Sequence, residues 1–227
     1  MTFSNILAKI YFLTKTNSVS FPTADVTILA NNALERVVSL ILQSDGRWEF
    51  DDSNHTDLPV ATTALVSAQQ SYGFETSHIE IERVELKDQQ GNWRKLQPLD
   101  QADVYDQSLT DFLKGGGTPV YYDKIATSIF LYPSPDFSQN ASLKINYSRP
   151  PVSFLVTDTT EQPGFNSLYH DLIALWVSYE YSFANGISTA DKFLEEIIRK
   201  EEALKEAYAL RSKDEHIRIS AKKYKFN

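Results

Sequence analysis

Apolar residues recur at three- and four-residue steps near both ends of this chain and at two-residue steps between them. That change of period decides the fold class. Phe3, Ile6, Leu7, Ile10 and Leu13 mark a short amphipathic helix. Val26, Leu29, Ala33, Val37, Leu40 and Ile41 mark a second, which opens after the turn chemistry of Pro22–Asp25 and stops at Asp45-Gly46. Towards the other end, Leu168, Leu172, Leu175, Trp176 and Tyr179 share one helical face, extended by Phe183. Asn185-Gly186 ends that helix, and Ser188 or Thr189 is placed to cap the next. The last helix carries Phe193, Ile197, Leu204, Ala207 and Tyr208, with Glu195/Arg199 and Glu201/Lys205 as i,i+4 pairs. These two late helices form an antiparallel hairpin.

From Arg47 to about Pro150 the pattern is β. "RWEFDD" and "LPVATTALVSAQQSYGF" are short β-leaning runs. "HIEIERVELKDQQGNWRKLQPL" alternates, with Ile79, Ile81, Arg83 and Glu85 on one face and Glu80, Glu82, Val84 and Leu86 on the other; a turn at Gln89–Asn92 centres on Gly91. "TPVYYDKIATSIFLYPSP" reads as a second hairpin and "ASLKINYSRPP" as a final strand alternating Leu143, Ile145 and Tyr147. "LDQADVYDQSLTDFLKGGG" offers a helical turn before a flexible glycine run, Gly115–Gly117. The reading is an α+β chain. Its helical bundle body comes from the N- and C-terminal helices (1–46 and 151–213), with an inserted antiparallel β-module (47–150) and an extended C-terminal tail (214–227).

Few residues point to chemistry. With no cysteine there is no disulfide framework, thiol nucleophile or thiolate metal site, which fits a reducing compartment. The early apolar run is broken by Lys9 and Lys15, so it reads as a helix and not a signal peptide, and no stretch has the length of a membrane span. His55, His78, His170 and His216 lie in separate segments, and a G-x-S-x-G elbow is missing. In "KGGGTP" the lysine precedes the glycines and a strand follows, the reverse of a phosphate-binding loop. Glu49, Asp51 and Asp52 lack calcium-loop spacing, and Glu195-Glu196 and Glu201-Glu202 read as a solvated helix face. The expectation is a protein without catalysis, cofactor or metal. An alternative is a carbohydrate- or ligand-binding β-module on a helical base, with Trp48, Trp93 and Tyr121–Tyr122 as its platform. A hydrolase would need a convergent acid pair that no spacing reveals.

The charge is uneven. The chain sums to −8 and the last twelve residues, "HIRISAKKYKFN", to +4, so everything before them sums to −12. A body of that sign repels DNA and suits a channel through which DNA slides without sticking. The tail alternates Ile217, Ile219 and Ala221 on one parity and places Tyr224 and Phe226 on the other. Extended, it spans about 40 Å at ~3.3 Å per residue. Ordering it costs roughly 1–2 kcal/mol per residue in backbone freedom. Either the tail is a frayed, solvated terminus, or strand addition to a partner sheet offsets that cost.

Taken in order, "ADVTILANNALERV", "LPVATTALVSAQQSYGF", "IEIERVELKDQQGNWRKLQPLD", "GTPVYYDKIATSIFLYPSPDF", "LKINYSRPPVSF" and "DTTEQPGFNSLYHDLIALWVSYEYS" resemble the head-to-tail adaptor (connector) proteins of tailed bacteriophages, in particular those of short-tailed phages. The resemblance covers roughly residues 20–212. It implies a virion protein of the portal vertex, assembled in the host cytoplasm: a homo-oligomeric ring, usually a dodecamer, packed through its helical bodies. The ring docks on the portal protein, holds the tail proteins and lets genomic DNA through without specific binding. It also implies that the C-terminal tail docks on the portal, through Ile217, Arg218, Ile219, Lys222, Lys223, Tyr224, Lys225 and Phe226. No catalytic residue comes with the resemblance.

Overall fold

Thr2 starts the first helix, its hydroxyl accepting the Asn5 N–H at 3.4 Å. In the computed structural model, which describes residues 1–45, 54–55, 57–99 and 115–210, helix α1 runs Phe3–Thr14 and α2 runs Thr23–Ser44. Asn166 caps a 3-10 turn at Ser167–Tyr169, followed by α3, Asp171–Ala184, and α4, Ala190–Ala209. The described residues are mixed α+β, as the two apolar periods require. Contacts divide the chain into two compact units, Met1–Asn54 with Pro151–Asn227, and His55–Pro150.

In the helical unit, Phe3, Ile6 and Ile10 of α1 and Val26, Ala33, Val37 and Ile41 of α2 are buried, as their spacing predicts. Leu7, Leu13, Leu29 and Leu40, expected on the same faces, are only partly buried, and Ala30 and Leu34, which the sequence reading did not name, are buried as well. Helix α3 is buried without a break from Leu172 to Ser178, the mark of a central helix covered on every side. It packs against α1, α2 and α4, and it lies antiparallel to α4.

Several details differ from the sequence reading. Leu168 is exposed because it sits in the 3-10 turn, out of phase with α3. Phe183 keeps the phase of Trp176 but falls in the last turn of α3 and is also exposed, stacked on Tyr179 at 5.9 Å. Ala207 turns away from the buried line of Ile197, Leu204 and Tyr208. Thr189 occupies the N-cap of α4 in an αR conformation, with no side-chain cap bond. Arg199 pairs with Glu196 instead of Glu195, at 2.6 Å. Glu201 is not solvated: its side chain, 13% exposed, turns inward and meets Arg36.

The second unit holds two four-stranded sheets. One is ordered β1 (Val60–Leu65), β10 (Gln139–Ser148), β3 (Glu80–Lys87), β4 (Trp93–Lys95). The other is β2 (Ser71–Gly73), β8 (Ser128–Tyr132), β7 (Tyr121–Ile125), β5 (Gln97–Pro98). Leu65, Tyr72, Ile81, Val84, Leu86, Ile129, Leu131, Leu143 and Ile145 make their common core. The long ladders are antiparallel, and two two-residue pairings, β5 with β7 and β6 (Gly116–Gly117) with β9 (Ser134–Pro135), are parallel. The glycine run is thus part strand: Gly116 and Gly117 are paired and not simply flexible.

The mixed faces expected of β3 resolve through a bulge. Arg83 pairs with Asn146 and Ile81 with Tyr147, so Glu82 has no opposite residue in the ladder and the parity flips there. Ile81 thereby joins Val84 and Leu86 in the core, while Arg83 and Glu85 stay on the outer face. The expected turn at Gln89–Asn92 forms, with Gly91 at φ +89 and the Asp88 carboxylate accepting the N–H groups of Gln90 and Asn92. "RWEFDD" and the helical turn expected at 100–114 lie outside the described residues.

Candidate functional site

Every residue of the expected docking tail, Ile217, Arg218, Ile219, Lys222, Lys223, Tyr224, Lys225 and Phe226, lies outside the described residues. What the fold does define is the outer surface of each unit.

Each helix of the first unit keeps a large apolar side chain turned outward. Phe12 of α1 is 81% exposed, Ile28 of α2 60%, Phe183 of α3 71% and Ile198 of α4 50%. The helices beneath them are locked by polar contacts that spacing did not reveal. Asp171, in the first turn of α3, accepts from Lys9 of α1 at 3.3 Å and Lys200 of α4 at 2.8 Å. Trp176 and Arg36 both reach Glu201.

The three described histidines serve structure. His170 is buried, its Nε2 donating to the Phe165 carbonyl at 2.6 Å. His55 contacts the Pro150 carbonyl at 3.1 Å. His78 stacks on Tyr147 at 3.6 Å, and its Nδ1 is buried with no hydrogen-bond partner. Burial holds both His55 and His78 below the ordinary imidazole range, which favours their neutral forms. His55 is also two residues from Asp57, which takes a hydrogen bond from the Arg149 guanidinium and is kept ionised by it.

The aromatic platform of the alternative reading is not assembled among the described residues. Trp93 lies on the first sheet with the Lys144 ammonium 4.4 Å from its ring centroid, so a cation already covers that face. Tyr121 and Tyr122 lie on the second sheet, and Tyr122 is buried. Trp48 falls outside the described residues.

The β-unit does carry a groove that the sequence did not announce. It measures about 450 Å³ and is lined by Ala61, Thr62 and Thr63 of β1, by Tyr72 to Glu75 around β2, and by Leu143, Ile145 and Tyr147 of β10, with His78 at one wall. The cluster of Tyr72, Phe74 and His78 in "SYGFETSH" was its available signal. The small side chains of Ala61 and Thr63 leave the core residues beneath them within reach.

Among the described residues no three His, Asp or Glu side chains are placed to hold a metal ion, and no helix is long and apolar enough to cross a membrane. No curated protein matches the chain. The sequence model of the SU10 adaptor protein family matches residues 1–216, nearly the whole chain and up to the residue before Ile217. A helical unit with outward apolar side chains, a β-unit that lies in sequence between its two segments, and that match together lead to one assignment: the chain belongs to the SU10 adaptor protein family of phage head-to-tail adaptors.

Proposed function

We propose that this chain is a structural subunit of the virion neck. Copies close into a ring, a dodecamer, that docks on the portal protein, extends the DNA channel and gives the tail proteins their platform. The observation that carries this reading is the family match across residues 1–216. Phe12, Ile28, Phe183 and Ile198 offer one exposed apolar side chain on each helix for side-by-side packing of helical units. The formal charge of −8 supports a channel wall along which genomic DNA passes without specific binding. The chain acts without a cofactor or catalysis and assembles in the host cytoplasm.

The tail carries the attachment. Ile217, Arg218, Ile219, Lys222, Lys223, Tyr224, Lys225 and Phe226 dock on the portal by strand addition, the cations matched to acidic patches. Many linked tails act together, so each contact can be weak.

The test is particle mass and negative-stain imaging of the protein mixed with its portal ring, with and without residues 216–227. A ring-on-ring complex that needs those residues is the expected result. Attachment unaffected by the deletion overturns the docking role, and no complex in either case overturns the adaptor ring.

A further inference from the structure

The outer strands of the two sheets are guarded unequally. β4 is three residues long and carries Arg94 and Lys95, β2 has three residues, and β5 has two and ends on Pro98. β1 is six residues long, "VATTAL", with neither a charge nor a proline, and its outer side pairs with no described strand. Unguarded edges of this kind are templates for another strand.

The hydrogen-bonding groups of that edge can be placed. Tyr147 donates its N–H to the Pro59 carbonyl at 3.1 Å, which fixes the alternation of the antiparallel ladder. Ala61 and Thr63 then address β10, and the N–H and C=O of Thr62 point away from it. On the inward face, Ala61 sits opposite Ile145 and Thr63 opposite Leu143, over the 450 Å³ groove. A strand laid beside β1 would therefore complete the ladder at Thr62 and lower alternate side chains into a groove lined by Leu143 and Ile145, with Glu75 also in its lining.

We propose that the occupant is residues 217–222 of a second copy of this chain. The segment Ile217–Lys222 has six residues, as β1 does. Its apolar members Ile217, Ile219 and Ala221 alternate with Arg218, Ser220 and Lys222, the pattern a groove on one face and solvent on the other select. Its charge is positive, whereas residues 55–150 carry 12 acids against 8 bases. Beyond it, Tyr224 and Phe226 take the opposite parity and remain available to the portal. The portal contact proposed for the tail narrows accordingly: the first half of each tail, through residues 217–222, clasps a neighbouring subunit, and only Lys223, Tyr224, Lys225 and Phe226 reach the portal. This rests on the ring reading, since two copies must lie side by side.

The lack of native cysteine makes the test clean. Full-length Thr62→Cys is mixed with full-length Ser220→Cys under mild oxidation, both substitutions lying on the outward parity. Arg218→Cys and Lys222→Cys are scanned alongside, because pairing can slip by two residues without changing faces. A disulfide-linked dimer is expected from the mixture and is lost when Ser18→Cys replaces the tail variant. No linked species from any tail variant overturns the proposal. So does a link that forms only within a chain carrying both substitutions, which would make the occupant the chain's own tail. As a second measurement, Thr62→Pro removes the outward N–H of the edge; hydrogen-exchange protection at residues 217–222 should be lost while that of α3 is kept. Unchanged protection at 217–222 overturns the proposal. Particle mass separates the two readings: a ring without the link leaves the adaptor reading standing, and a monomer without the link removes both.

Discussion

The indole N–H of Trp176 donates to the Glu201 carboxylate at 3.0 Å, across the contact between α3 and α4. From α2, Arg36 adds its guanidinium, 3.7 Å from the indole centroid and 3.5 Å from the same carboxylate. Three helices therefore meet at one cation–aromatic–anion knot at the edge of the apolar core, with Trp176 buried and Arg36 on the solvent side. Trp176→Ala should destabilise the protein by about 3–5 kcal/mol, as large-to-small core changes do. Trp176→Phe keeps most of the volume but removes the donor, and should cost about 1–3 kcal/mol. Urea unfolding followed by helical circular dichroism distinguishes the two, and equal losses would mean that the hydrogen bond contributes nothing.

Asp171 joins three helices in a different way. It draws Lys9 and Lys200 together and adds a negative charge to the first turn of α3. Asp171→Asn leaves both lysines facing a neutral group and should cost about 1–2 kcal/mol, part of it from the helix terminus. Raising the salt concentration should shrink the difference from the parent, because ion pairs are screened. A salt-independent loss would assign the effect to packing.

In the β-unit, the hydrogen bond from Lys144 holds Glu85 below the usual carboxylate range, and Arg83 assists. A carboxylate depressed by folding contributes stability above its unfolded value and loses it as pH falls through the lower folded value. The parent should therefore melt above Glu85→Gln at neutral pH, and the two melting curves should converge in acid, below the ordinary range of Glu. Divergence on acidification would reverse the sign of the interaction.

Gly91 sits at φ +89 in the turn between β3 and β4, where a side chain is strained. Gly91→Ala should cost about 1 kcal/mol or more, seen as a lower denaturation midpoint. A midpoint at or above the parent's would show that the turn relaxes.

How much of this was legible follows from what each signal measures. Periodicity located the four helices among the described residues, since Ile6, Ile10, Val37, Ile41, Leu172 and Leu204 each repeat the step of the face they bury. It failed at Leu168 and Phe183, where position relative to a helix end, and not phase, sets exposure. The strands were found by their alternation, yet the faces of β3 could not be assigned, because a strict two-residue parity assumes an unbroken strand and Glu82 is a bulge. The Asp171 and Glu201 contacts were hidden for another reason. Their partners Lys9 and Arg36 are more than 160 residues away, and no local spacing encodes a pairing of that range. The groove by β1 escaped notice likewise, since its lining is gathered from four separate strands.

The division of the helical unit between the two ends of the chain also sets an order of synthesis. Helices α1 and α2 leave the ribosome first, with their apolar faces uncovered until α3, the helix that packs against all the others, has been made. The β-unit lies wholly between them in sequence and is free to fold while the rest is still being translated. A chain released before Asp171 would hold a finished insert beside two unsatisfied helices, a target for proteases and chaperones. Only a polypeptide that carries α3 and α4 can then close the apolar core of the helical unit.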